Sequence, residues 1–184
     1  QKVPEDVIIV VDEAYIEFVR DDAVFNSLKN PLQDPRVVTL RTFSKAYGLA
    51  GFRVGYGIMD PEIAEILNRI RQPFNVNTLA QVAGVAAIGD EQFLNKSIQT
   101  THEGLDFLFD ELSNLGIHCL PTQSNFFMMD LKKDATKVFE KMLQLGIIVR
   151  SMKSYGFDTF IRVNAGTKKE NIAFIAALKK VLKK

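Results

Sequence analysis

The sequence predicts an α/β fold in two parts: a partial sheet domain, then a smaller α/β unit. Three observations point there. Two short apolar, β-branched runs, residues 7–11 and 37–40, each stop abruptly at polar residues, as strands of an α/β sheet do. Residues 91–115 repeat Phe93, Leu94, Ile98, Leu105, Leu108, Phe109 and Leu112 at helical spacing, the pattern of a long amphipathic helix. From residue 117 the pattern changes to short apolar stretches alternating with helical ones.

The elements follow in order. Residues 7–12, VIIVVD, read as the first strand. Five apolar residues without alternation predict burial on both faces, in a parallel sheet with several neighbours. Residues 16–35 read as a loop or short helix ending in NPLQDP, two prolines in five residues. Residues 37–41 form the second strand, 42–51 a glycine-containing loop, and 53–59 the third strand. Asp60-Pro61-Glu62 is an N-cap, a proline at the first helical position and an acid in the first turn. The helix it opens runs until Pro73. Residues 78–88, TLAQVAGVAAI, are small and apolar and predict a closely packed, buried helix. Gly89-Asp90-Glu91 breaks the pattern before the long helix, which Gly116 closes. In the second unit, 117–120 and 125–130 read as strands and 135–145 as a helix closed by Gly146. Residues 147–150 and 159–163 are further strands, and 168–184 is the last helix. Together they predict a compact sheet with helices on one face. No internal repeat is visible.

Composition sets bounds. The chain has 184 residues, 47% hydrophobic and 24% charged, with net charge +1, an ordinary globular composition for one domain or two small ones. No charge block calls for nucleic acid, and the basic C-terminal KKVLKK suits a solvated helix end. Cys119 is the single cysteine, so no intramolecular disulfide forms, which fits a reducing cytoplasm. No apolar run approaches the roughly 20 residues of a membrane helix. His102 and His118 have no ligand-like neighbours, so no metal site is expected. The chain opens on Gln1, and six residues lead directly into a strand with few neighbours to pair with. It therefore reads as the C-terminal part of a longer polypeptide.

The chemistry concentrates at 37–57, VVTLRTFSKAYGLAGFRVGYG. Lys45 lies just past a buried strand, where α/β sheets place their sites. Asp12 ends the other apolar strand, and a buried carboxylate needs a partner. Arg53 follows Lys45 by eight residues. A lysine for an aldehyde, an acid for a pyridine nitrogen and a cation for a phosphate are what pyridoxal phosphate (PLP) requires. Lys45 is accordingly read as forming a Schiff base with PLP. Taken singly, a solvated loop at Ser44-Lys45 and a turn cap at Asp12 are the plainer readings.

VDEAYIEF followed by RTFSKAYGLAGFRVGYG resembles the core of the fold-type I PLP aminotransferases and is most similar to the histidinol-phosphate aminotransferases. The resemblance continues through QPFNVNTLAQVAG and FIRVNAGTKKEN and covers nearly the whole chain. It implies a mixed large-domain sheet, with the third strand antiparallel, in a partial PLP-binding large domain (1–90). A connecting helix (91–115) and a small C-terminal α/β domain (116–184) follow. It implies transamination of histidinol phosphate with 2-oxoglutarate and glutamate, in histidine biosynthesis, by a cytoplasmic enzyme. Aromatic amino-acid aminotransferases and threonine-phosphate decarboxylases share the scaffold and stand as alternatives.

Residue by residue, Lys45 becomes the Schiff-base lysine and proton shuttle. Asp12 is the partner of the pyridine nitrogen. Tyr15 donates to the ring oxygen; alone it would read as a core or interface tyrosine. Arg53, Ser44 and Thr42 contact the phosphate, although loop capping accounts equally for the two hydroxyls. Arg162, inside the strand FIRVNAG, grips a substrate carboxylate or phosphate. Arg150 matches a second arginine near that anion, while a solvent contact at a strand end fits it equally. Asn125 matches a small-domain position near the substrate. The partners implied are small amino and oxo acids and a second copy in a homodimer, with no nucleic acid and no membrane. Upstream residues, including a tyrosine lent by the partner chain, complete the site in this family. The 184 residues alone are therefore expected to turn over little or not at all.

Overall fold

A computed structural model describes residues 3–183. Strand β1 (Ile9–Asp12) pairs in parallel with β2 (Val37–Thr42), Ile9 beside Val37 through Asp12 beside Leu40. Strand β3 (Gly55–Ile58) runs antiparallel on the other side of β2, so the sheet has the order β1-β2-β3 and is mixed, as the resemblance implied. The expectation that β1 is buried on both faces is overturned. Its residues alternate between half-buried and exposed, and Val10 is 58% exposed. The strand has one neighbour and one packed face, and apolar composition records fitness for burial without saying what supplies the cover.

Helix α1 (Pro61–Ile70) starts as its sequence predicts: Asp60 Oδ1 accepts from Glu62 N at 2.9 Å, with Pro61 at the first position. Helix α2 (Thr78–Ile88) is capped by Asn77, whose side chain accepts from Ala80 N at 2.9 Å. The expectation of a buried α2 also fails. Only Ala80 and Gly84 are buried, while Leu79, Val82, Val85 and Ile88 are exposed. Ala80 and Gly84, one turn apart, make a narrow seam, and a Cβ on Gly84 would touch the Phe43 ring at 3.6 Å. Ala83 and Ala87 are half-buried beside this seam, and the other residues of the helix are exposed.

Helix α3 (Glu91–Asn114) spans 24 residues. The chain divides within it into two compact units, the first reaching Ser97 and the second starting at Ile98. In the second unit, β4 (His118–Cys119), β5 (Phe126–Asp130), β6 (Arg150–Ser151) and β7 (Phe160–Asn164) form an antiparallel sheet in the order β4-β5-β7-β6. Helices α4 (Ala135–Gln144) and α5 (Lys168–Leu182) complete it. Alternation on β5 and β7 sends Phe127, Met129, Ile161 and Val163 to one face. There they pack with Leu108 and Leu112 of α3, Met142 of α4 and Leu178 of α5. Each fully buried side chain of this size contributes about 1.5–3 kcal/mol.

Six strands start one to three residues later than expected, and in two of them a helix cap takes the first residue. Gly116 and Gly146 adopt left-handed backbone, φ +64° and +77°. Ile117 N then donates to Leu112 O, and Ile147 N to Met142 O, both at 3.0 Å. These bonds close the ends of α3 and α4, so residues 117 and 147 are spent on caps rather than ladders. Strand β4 therefore starts at His118, and β6, which starts at Arg150, cannot include Ile147. Thr167 and Glu170 form a reciprocal capping box at the start of α5.

Asp130 ends β5 almost fully buried. Its carboxylate accepts from Lys132 N at 2.9 Å and pairs with Lys132 Nζ at 2.6 Å. Lys132, with help from Thr159, holds the carboxyl down at about 2, against an ordinary 3.8. A depressed folded value stabilises above the unfolded pKa and is lost as pH falls through the folded one. The urea midpoint should therefore hold down to about pH 4 and drop between about pH 4 and 2, and Asp130→Asn should flatten that drop. An unchanged acid limb in the variant would remove Asp130 from this role.

Candidate cofactor and anion sites

Each functional side chain of the first unit sits at the end of a strand or in the loop that follows. Asp12 closes β1, and its Oδ1 accepts from Ala14 N at 3.0 Å, which fixes the carboxylate. Thr42 closes β2, and its Oγ1 accepts from Ser44 N at 3.0 Å. The loop is anchored by the buried Phe43, whose N donates to Val54 O at 3.2 Å and whose O accepts from Leu49 N at 2.9 Å. The Phe43 ring lies 5.1 Å from Tyr47 and 5.5 Å from Tyr56. Gly48 N donates to Lys45 O at 3.0 Å, closing a tight turn over Lys45. Arg53 follows a 3-10 turn (Ala50–Phe52) with φ +57°, a left-handed conformation that costs a non-glycine residue about 1–3 kcal/mol. Its Nη1 donates to Ala50 O at 2.9 Å and reaches Ser44 Oγ at 3.4 Å.

Asp12, Thr42, Ser44, Lys45 and Arg53 line one cavity of about 320 Å³. Tyr15 flanks it, with Lys45 Nζ 5.3 Å from the centre of its ring. Among the described residues no acid pairs with Lys45 or Arg53. The cavity thus offers one fixed carboxylate, one amine and the arginine fork of Arg53 beside hydroxyls, while Arg41, which also borders it, is paired with Glu13.

Behind it lies a pair that the motif reading passed over. Glu13 was visible in VDEAY and Arg41 in LRTFSK, without a role. Glu13 Oε2 accepts from Arg41 Nε and Nη2 at 3.0 and 2.7 Å, and Oε1 accepts from Ser27 N at 2.6 Å. Burial pushes the Glu13 carboxyl up, but Ser27 and Arg41 outweigh it and hold it below the ordinary value. Strand alternation was the available signal: residues next to Asp12 and Thr42 must face the other way.

The second unit holds a separate arrangement. Arg150 and Arg162 are direct cross-strand partners on β6 and β7 and line a cavity of about 520 Å³. The Arg162 guanidinium lies 4.7 Å from the Phe126 ring, and its buried Nε has no hydrogen-bond partner among the described residues. Arg150 Nη2 donates to Tyr155 Oη at 2.6 Å. Like charges directly opposite destabilise a sheet, and a buried donor left unpaired costs about 1–3 kcal/mol. An anion between the guanidiniums would offset both penalties. Asn125, the third expected residue, does not line this cavity. Its backbone O accepts from Ala165 N at 3.0 Å and its Oδ1 is buried without a partner among the described residues.

The model for aminotransferase class I and II matches residues 1–178. The chain belongs to this family. The histidinol-phosphate aminotransferase of Moorella thermoacetica is 48% identical over 183 residues, 99% of this chain and 47% of the relative. The crystal structure of histidinol-phosphate aminotransferase from Sinorhizobium meliloti in complex with pyridoxal-5'-phosphate superposes with TM-score 0.89 at 30% identity, over 98% of this chain and 50% of the other. The structure of L-threonine-O-3-phosphate decarboxylase from Porphyromonas gingivalis reaches 0.79 at 25% identity, over 98% and 56%. The chain spans about half the length of the relatives it matches.

A class I and II aminotransferase implies PLP, and the residues present fit it. The acid of Asp12 suits a protonated ring nitrogen, and Lys45 suits an aldehyde. Arg53, an arginine without an acid beside Ser44 Oγ, suits a phosphate. Among the described residues no helix is long and apolar enough to cross a membrane.

Proposed function

We propose that the chain carries the cofactor- and anion-binding residues of a PLP-dependent aminotransferase that exchanges amine between histidinol phosphate and the 2-oxoglutarate/glutamate pair. The observation that carries this is the convergence of Asp12, Lys45 and Arg53 on one cavity. Bound PLP supplies the electron sink for the substrate's α-carbon. Asp12 keeps the proton on the ring nitrogen. Lys45 would hold the cofactor through its aldehyde, and its Nζ, freed when the substrate's amine takes its place, would be the base that carries the α-proton. Tyr15 orients the ring oxygen. Thr42, Ser44 and Arg53 bind the phosphate. Arg162 and Arg150, with Asn125 nearby, bind the substrate's anionic groups, and the working enzyme is a homodimer. Residues 1–90 serve as part of the large domain, 91–115 as the connecting helix and 116–184 as the small domain.

The likeness to the Porphyromonas gingivalis decarboxylase favours a second reading on the same cofactor, loss of carbon dioxide from a phosphorylated amino acid. The test joins this chain to the half of the Moorella thermoacetica enzyme that it does not match. With histidinol phosphate and 2-oxoglutarate, the chimera should form glutamate. With threonine phosphate it should release no carbon dioxide. The reverse pattern would establish the decarboxylase reading. The 184 residues alone should show little or no transaminase activity, and full specific activity from them would overturn that expectation.

A further inference from the structure

We propose that Glu13 and Arg41 are positioning residues of the cofactor site: a buried ion pair on the back of the first sheet that fixes the register in which its front presents Asp12 and Thr42. The inference rests on the cofactor reading above. Successive residues of a strand point to opposite faces. Asp12 lies beside Leu40 in the register, and Leu40 and Thr42 alternate with Arg41 on β2. Asp12, Leu40 and Thr42 therefore share the face that carries the cavity, which all three line. Glu13, one residue on from Asp12, does not line the cavity; Arg41 borders it, but its guanidinium is turned to Glu13 on the other face.

That back face is a closed polar network. Arg41 presents Nε and Nη2 to Glu13 Oε2, and Nη2 also donates to Asn26 Oδ1 at 3.2 Å. Ser27 N donates to Glu13 Oε1, and Thr39 Oγ1 donates to Ser27 Oγ at 2.9 Å. Glu13 N donates to Leu40 O at 2.9 Å, extending the β1–β2 ladder one residue beyond Asp12. The side chains of Arg41 and Glu13 are 12% and 4% exposed, so both ions are out of bulk water.

Such a pair stabilises little compared with apolar residues of the same volume; its effect is to select one arrangement. This sheet needs that selection. Residues 7–11 are apolar at every position, so sliding β1 by one residue exchanges one aliphatic face for another at small hydrophobic cost. The same slide would put Glu13 at the cavity in place of Asp12 and leave Arg41 buried without its anion. The polar end of the strand, rather than its apolar body, sets the register.

The test measures the PLP dissociation constant of the chimera with the Moorella thermoacetica half by absorbance titration, with each substitution made in this chain and at a temperature where circular dichroism shows each variant folded. Glu13→Gln and Arg41→Gln should each weaken PLP binding about tenfold or more, and the double variant should be no weaker than either single one. Arg41→Lys keeps the charge, loses the fork, and should still weaken binding; it serves where a glutamine variant fails to fold. Arg36→Gln breaks the Arg36–Asp34 ion pair at the far end of β2 and should leave the constant unchanged. Wild-type PLP affinity in folded Glu13 and Arg41 variants overturns the inference, whatever stability they lose, and leaves the cofactor reading standing. No PLP binding by the chimera that carries the unaltered chain overturns the cofactor reading, and this inference with it.

Discussion

Lys45→Ala is expected to abolish covalent attachment of PLP and, in the chimera with the Moorella thermoacetica half, to lower transamination by about 10⁴-fold or more. The structure gives this residue a specific setting. Its backbone is held by the turn that Gly48 closes and by the buried Phe43. Its amine lies against the Tyr15 ring, and no acid pairs with it among the described residues. An amine so placed is available to an aldehyde, and no other lysine lines the cavity. Borohydride reduction after PLP addition should leave the cofactor's mass on the peptide containing Lys45 in the wild-type chain and on no peptide of the variant. Lys45→Arg separates charge from linkage, since a guanidinium retains the cation but should also take up no label. A wild-type transamination rate in either variant would sink the assignment.

Much of this site was legible because its parts lie at strand ends, where sequence marks them. The run VIIVV stops at Asp12 and VVTL stops short of Lys45, and a polar residue after an apolar strand is a local signal. The two glycine-closed helices were legible for the same reason, since Gly116 and Gly146 announce a left-handed cap without reference to the rest of the molecule. What failed was non-local. Neither the open face of β1 nor the exposed circumference of α2 could be read, because a valine is equally apolar whether or not something covers it. The Glu13–Arg41 pair spans 28 residues, and the opposition of Arg150 and Arg162 depends on a register that a two-residue strand does not declare.

That opposition leads to a prediction in which stability and binding move in opposite directions. Arg162→Met should make the chain more resistant to urea in phosphate-free buffer, by about 1 kcal/mol, because it removes a like-charge cross-strand pair and a buried donor without a partner. Methionine has similar reach, and its sulfur keeps a contact with the Phe126 ring that replaces the guanidinium stacking. The same change should weaken binding of inorganic phosphate by about 100-fold, the loss of about 3 kcal/mol of charge-assisted hydrogen bonding. Urea unfolding with and without phosphate reads both effects. The wild-type midpoint should rise with phosphate as ligand binding to the folded state requires, and the variant's midpoint should begin higher and stay flat. A variant less stable than wild type in phosphate-free buffer would show that the two arginines are a structural pair held by their surroundings. A wild-type midpoint indifferent to phosphate would remove the anion from the second unit altogether. Met in place of Arg leaves the apolar core on the other face of β7 untouched, so either result reports on the charges and not on packing.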